Sequence, residues 1–564
     1  MSGLDHRKAG RYLRTVSHLR PEQIAHRLRL RAQQSALRRW PKPFEQRWLH
    51  AGGTPNWPEA FVAIDALVPP DCGPIDELEE GRFTFLNETL ALGNPVAWDP
   101  PGASQLWLYH QHYWEWTWTL LNDVDRDRAR AIFERQLRSW IGATRFGRWN
   151  AWAPYPASLR TWVFVNVESQ LVQGTRLQQT FHQLLGLHAG FVEHNLELDV
   201  GGNHLLKNLK ALVGLGVFFD DARLVEKAAG LLGRQLTVQV LPDGGHFELS
   251  PSYHCQVLGD LLDIGALMEA DGRPSVDGID DAIARMRTWL GVMVMPDGDV
   301  PLFNDCERVG RDRVQALQPA PRPEQPLTVL SDSGYVVANP GERIHLVADV
   351  GAPCPPDLPA HAQADCLTFE LAIDGHRTVV DPGTSVYGSA RQRQWERSTR
   401  AHSTVTIDGT DQTEVWGSFR AGRLAEATLD MARTEGDALD IRAHHDGYRH
   451  LPGSPVHHRR WLVTPDRIEI TDQVEGREVH SVALRVLLDS AQVRGVSDGE
   501  VECTGCRISV EAPEVPGEGS AVQVNPAEYA TGHGELRDAL AIEGQWTVDL
   551  PARLVTTIDL TSAE

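Results

Sequence analysis

The chain has 564 residues, 41% of them hydrophobic and 23% charged, with a formal net charge of −22. That length exceeds what one hydrophobic core serves, so two or more domains are expected. The acidic balance argues against nucleic acid as the main partner, and no run of about 18 apolar residues suggests a transmembrane span.

The charge is unevenly placed. Residues 1–50 hold twelve Lys/Arg against three Asp/Glu, a local balance of +9. The start, RYLRTVSHLRPEQIAHRLRLRAQ, reads either as a peripheral contact with an anionic membrane surface or as a solvated helix packed on its own domain. It lacks an apolar signal-peptide core, so the literal expectation is a cytoplasmic protein, with attachment at the inner membrane as the variant. Seven scattered cysteines, an odd number, fit reduced thiols. Cys503-Thr-Gly-Cys506 has no second pair to complete a zinc site and reads as a turn between strands.

From about residue 51 to 325 the pattern is helical. ARAIFERQLRSWIG, SLRTWVFVNVESQLVQ, HLLKNLKALVGLGVFF, ARLVEKAAGLLGRQLTVQV and YHCQVLGDLLDIGALM place apolar residues at three- and four-residue steps. Gly, Pro and Asp clusters such as DVGGN and LPDGG punctuate them. Helical hairpins, stacked or closed into a ring, are predicted. After the Pro-rich stretch at 318–327 the period becomes two. GYVVAN, RIHLVADV, LTFELAID, HRTVVD, STVTIDG, LDIRAHH, RWLVTPDRIEITD and TVDLPARLVTTIDL alternate or are β-branched. Asp374-Gly375 and Asp408-Gly409 supply hairpin turns, so residues 326–564 are predicted to form an antiparallel β-sandwich. The domains expected are a basic extension at 1–50, a helical domain at 51–325 and a sandwich at 326–564.

Four clusters carry chemistry: AWAPYPASLRTW with Arg160, GGNHLLKN with Asn203 and His204, DGGHFELSPSYH with Glu248, Tyr253 and His254, and PAHAQAD with its sequels DPGTSVYG and RSTRAHSTV. Each has a plain alternative. Asn203 after Gly-Gly is a good helix N-cap, Tyr253 is a core tyrosine with a bonded hydroxyl, His361 is an ordinary loop histidine, and the arginines at 391–400 form a solvated loop. The combination points further. Asn203, His204 and Tyr253 fall at corresponding helix mouths one hairpin apart, and a sandwich stacked on that end would present His361 and His402 across a cleft. Such groups suit β-elimination in a uronic-acid chain. Amide and imidazole donors neutralise the C5 carboxylate, and Tyr or His moves the C5 proton and protonates O4.

In these motifs, and in LWLYHQHYWEW, TVTIDGTDQTEVWGSFR and HHDGYRHL…HHRRW, the sequence resembles the heparinase II/III family of polysaccharide lyases. The basic start is similar to members associated with exopolysaccharide or capsule synthesis. The resemblance implies an incomplete (α/α) toroid followed by an antiparallel β-sandwich. It implies that Asn203 and His204 neutralise the carboxylate, that Tyr253 transfers protons, and that His361 is its partner. Arg160, Glu248, His254, Arg393 and Arg397 become candidates to bind or orient an acidic polysaccharide or oligosaccharide. No cofactor is required, but some members carry zinc. Asp381 and His402 match two metal positions, while Gln363 stands where a third, a histidine, is usual. Gln is a poor zinc ligand, so a weakened or absent zinc site is expected. The alternatives are a glycoside hydrolase, which needs two carboxylates about 5–10 Å apart, with Glu197, Glu248 and Asp305 available, and a non-catalytic member in exopolysaccharide or capsule assembly.

Overall fold

The computed structural model describes residues 2–50, 55–70, 72–148, 150–322, 324–388, 390–497, 499–513 and 521–561. Pro323, in the predicted boundary stretch, lies outside them. The chain divides into two compact units. One comprises residues 20–239 and 256–283, the other residues 1–19, 240–255 and 284–564. Residues 240–255 and 284–325 therefore group with the sheets, not with the helices that precede them. The chain crosses between units inside the helices Pro251–Ala270 and Ile279–Met293.

The first unit is helical, as its periodicity predicts. Its centre is the pair Pro154–Val167 and Gly202–Phe218, both buried almost all round, as apolar helices enclosed by others must be. Around them run Arg126–Ala143, Gln178–His194 and Ala222–Gln239. Aromatic side chains fill the interior. Trp98 stacks on Trp114 at 5.5 Å, and Trp114 meets Phe164 edge-on at 5.0 Å. The helical pattern gave no sign of a short hairpin here, Arg82–Phe85 with Glu88–Ala91, turned by Leu86 and Asn87 at φ 55° and 58°.

The second unit holds two large antiparallel sheets, besides a small two-stranded one at Val415–Trp416 and Arg420–Ala421. One runs in the order Ala427–Glu435, Ala438–His445, Val456–Val463, Arg467–Glu475, Ala552–Leu560, Cys506–Glu511, Glu500–Cys503, Val493–Ser497. The other runs Gln523–Gly532, Glu535–Asp549, Val479–Asp489, His376–Val379, Phe369–Ile373, Ile344–Asp349, Tyr335–Ala338, Leu327–Leu330, and Val405–Ile407 also pairs with Val479–Asp489. Alternation decides which face is inward. In Val456–Val463 every second residue, His457, Arg459, Trp461 and Val463, is buried. Ile441, Trp461, Ile470 and Ile558 of one sheet share a core with Leu346, Leu371, Val379 and Val486 of the other, which makes the pair a β-sandwich. The turn residues Asp374-Gly375 and Asp408-Gly409 all have φ between 50° and 85°, as a two-residue hairpin turn requires. Cys503 and Cys506 pair across a tight turn with Thr504-Gly505 at its tip.

The basic start is a helix, Ser2–Ser17, and it packs on the sandwich hairpin Val415–Ala421. Arg14 holds Glu414 with both nitrogens at 2.8 and 2.7 Å, Thr15 Oγ1 donates to Ala421 O, and Tyr12 meets Trp416 edge-on at 4.7 Å. Part of the positive charge is thus spent inside the molecule.

Candidate active site

In the helical unit the Gly-Gly turn opens the helix Gly202–Phe218. Gly201 and Gly202 take φ of 75° and 54°, open to glycine without strain, and Gly201 is the N-cap. Asn203 is therefore the second helical residue and not the cap. It is buried, while His204 keeps part of its surface. His204 Nδ1 lies 3.1 Å from Glu197 Oε1, and its ring lies on Tyr155 at 4.2 Å. Glu197 is itself fixed, its amide donating to Asn208 Oδ1 at 2.8 Å and its Oε2 accepting from Asn208 Nδ2 at 3.0 Å. That chain of bonds leaves the imidazole one orientation.

In the sandwich unit Tyr253 sits in the first turn of Pro251–Ala270. Its ring lies against that of His361, centroids 4.0 Å apart, and its hydroxyl is 3.0 Å from that of Tyr387. His361 Nδ1 is 3.2 Å from Asp305 Oδ2 and Nε2 is 3.6 Å from Glu248 Oε2. Arg393 grips both oxygens of Asp305, at 2.5 and 2.6 Å. Burial alone would raise the Asp305 carboxyl, but Arg393 and His361 hold it well below the usual carboxylate range. Burial, with the charge of Asp305, pushes the Tyr387 phenol well above its ordinary value. Tyr387 is therefore a neutral hydroxyl able to donate to the Tyr253 oxygen. Asp305 and Tyr387 were missed as parts of this arrangement. The sequence offers Asp305 only as a hydrolase carboxylate, and nothing in LFNDCE or SVYG signals a partner more than fifty residues away.

Three arginines proposed as substrate-binding candidates are buried. Arg160 is fully buried, donating to His188 Nε2, His112 O and Ala151 O at 3.0, 2.9 and 2.8 Å beneath Trp140. Arg393 is fully buried on Asp305. Arg397 is 1% exposed and donates to Ala362 O, Gly417 O and Arg420 O. Their guanidinium groups are taken up by carbonyls, an imidazole and a carboxylate. His254 is also structural. Nδ1 accepts from the His246 amide, Nε2 is 3.0 Å from Met286 O, and the ring stacks on Trp289. Burial, reinforced by His246, drives it down to about 3. Glu248, 2% exposed, faces His361 at 3.6 Å.

At the zinc positions the Gln363 Oε1, Asp381 Oδ1 and His402 Nε2 atoms are buried without a hydrogen-bond partner. Gln363 Nε2 is committed to Asn304 O at 2.8 Å and Thr384 Oγ1 at 3.1 Å. His402 and Asp381 are paired at 2.9 Å and fully enclosed. His402 therefore does not stand across a cleft from substrate. Among the described residues no third His, Cys, Asp or Glu brings a ligand atom within 4.8 Å of both. Burial lowers His402, but Asp381 outweighs it and holds the imidazole above its ordinary value. Asp381 and His402 form a buried ion pair.

Residues 117–318 match the heparinase II/III N-terminus and residues 322–552 the heparinase II/III-like C-terminal domain. The chain belongs to the heparinase II/III family. It is 26% identical over 431 residues to FtsZ-localized protein C of Caulobacter vibrioides, covering 73% of this chain and 72% of that one. It is 24% identical over 331 residues to a heparin-sulfate lyase of Bacteroides stercoris, and 29% identical over 238 residues to one of Pedobacter heparinus. These matches span only 46% and 36% of those two lyases. Among solved structures, a heparinase III chain aligns with TM-score 0.69 at 17% identity over 84% of this chain and 81% of that one. The shared fold is the (α/α) toroid with a β-sandwich, as this family's architecture requires. Among the described residues no helix is long and apolar enough to cross a membrane.

Proposed function

We propose that this heparinase II/III member is a polysaccharide lyase that breaks a uronate-containing chain by β-elimination. The observation that carries the reading is the contact of Tyr253 with His361, the latter oriented by Asp305 and the former bonded to a neutral Tyr387. Tyr253, as phenolate, takes the C5 proton, and Tyr387 steadies the negative oxygen by donating to it. Asn203 and His204 stabilise the charge that develops on the uronate carboxylate. The electron pair left at C5 forms the C4–C5 double bond as the C4–O4 bond breaks, and O4 departs with the proton now held by Tyr253. His361, packed on the Tyr253 ring, fixes the phenol for both transfers. Water takes no part in the elimination.

The test is ultraviolet absorbance on a panel of uronate polysaccharides, because the unsaturated uronate absorbs and a hydrolysis product does not. Wild type should give a rising signal, and Tyr253→Phe should lower the rate by at least ~10²-fold with an unchanged circular dichroism spectrum. New reducing ends without absorbance would replace elimination by hydrolysis. The likeness to FtsZ-localized protein C favours a second reading, a non-catalytic member of the family that localises with FtsZ. A folded wild type that binds such oligosaccharides but releases no product would select it.

A further inference from the structure

The two neighbouring strands Ala438–His445 and Val456–Val463 each carry a His-His dipeptide, and the register sets His444 opposite His458 and His445 opposite His457. Alternation sends one pair in and the other out. The inner pair is committed. His457 Nε2 binds Asp472 at 2.6 Å, His445 Nε2 meets His457 Nδ1 at 3.2 Å, and His445 Nδ1 accepts from the Gly447 amide. The outer pair faces different company. His444 Nδ1 lies 2.9 and 3.0 Å from the two oxygens of Asp430 on the edge strand Ala427–Glu435. The His444 and His458 rings stack at 5.1 Å, and Glu475 Oε2 is 3.6 Å from His458 Nε2.

We infer that Asp430, His444 and His458 form a surface site for a borderline transition-metal dication such as zinc, separate from the proposed catalytic groups. Their ligand atoms already lie within 4.8 Å of one another. A tetrahedral ion with bonds of about 2.0–2.1 Å needs donor atoms roughly 3.4 Å apart, so side-chain rotations suffice to close the site. Two imidazoles and one carboxylate favour zinc, copper or nickel over calcium or magnesium, which prefer oxygen. Side-chain exposures of 41% for Asp430, 26% for His444 and 35% for His458 leave a route in and room for water as a fourth ligand. Glu475 adds a second negative charge beside the site. Bound there, the ion ties the edge strand to the next two strands of its sheet.

The experiment is zinc binding to the metal-stripped full chain by equilibrium dialysis, with Tm measured alongside. The double variant His444→Gln/His458→Gln should bind one equivalent fewer than wild type and lose the zinc-induced rise in Tm. Asp430→Asn should weaken that equivalent by at least ~10-fold. All three changes lie on the solvent face, and equal Tm values without zinc would certify their folds. Equal stoichiometry in wild type and the double variant would overturn the site. Loss of the equivalent with Asp430→Asn unaffected would overturn the three-ligand arrangement.

Discussion

At the scale of single residues, the site is decided by which charges are buried together. Arg393 and Asp305 are both 0% exposed in their side chains, and such a pair gains its place only when every polar atom finds a partner. Here the carboxylate also orients His361. Asp305→Asn should therefore act twice. It strands the Arg393 charge, costing roughly 3–5 kcal/mol of stability, and frees the imidazole. Assayed well below its melting temperature, the variant should lose ~10²-fold in kcat with little change in KM, and a loss confined to KM would place Asp305 in substrate binding instead. The enclosed positions of Arg160, Arg393 and Arg397 follow the same logic. A sequence shows that an arginine is present, but not whether carbonyls have already taken its five donors. Asn203, His204, Tyr253 and His361 were visible as a set of polar groups in apolar surroundings. Asp305 and Tyr387 were not, because Asp305 meets His361 across 56 residues and Tyr387 meets Tyr253 across 134.

Among elements, glycine positions measure how closely the helices approach. A Cβ on Gly190, in Gln178–His194, would stand 1.8 Å from the carbonyl oxygen of Trp48 at the end of Pro41–Trp48. A Cβ on Gly230, in Ala222–Gln239, would meet nothing within 4 Å. Gly190→Ala should cost about 3 kcal/mol, since backbone cannot yield as a side-chain tip does. Gly230→Ala should stabilise by about 0.5–1 kcal/mol through helix propensity. Urea midpoints compare the two directly, and equal shifts would refute the close approach. The first helix makes the complementary point. Its positive charge allowed both membrane contact and packing, and the ring contact of Tyr12 with Trp416 adds to exposed ion pairs that alone are worth little.

Across the whole molecule, the acid response is set by histidines buried neutral. Burial drives His112, His254 and His345 down to about 3 and His246 to about 4. Their unfolded values lie near 6.5, so between about pH 6.5 and 4 the unfolded chain binds more protons than the folded one. Stability should therefore fall with decreasing pH in that window, before most carboxylates titrate, by up to about 1.4 kcal/mol per pH unit for each histidine. Asp472 continues the trend. Burial would raise it, but Arg459 and His457 bring it down to about 2, so its contribution is kept above about pH 4 and lost as pH falls through about 2. Thermal unfolding followed from pH 7.5 to 4.5 checks the sign, and a flat profile would mean that these imidazoles are reached by solvent.

By itself the sequence determined the two periodicities, the change from one to the other near residue 320, the hairpin turns at Asp374-Gly375 and Asp408-Gly409, and the polar groups that open two helices. Those features are local, set by 3.6- and 2-residue repeats and by backbone φ. Tertiary structure alone decided that residues 240–255 and 284–325 group with the sheets, that Gln363 serves Asn304 and Thr384, that three arginines are buried on partners of their own, and that one His-His pair is internal while its neighbour is exposed. Each of these depends on what lies opposite a side chain across dozens or hundreds of residues, where burial and pairing, and no local pattern, fix the energy.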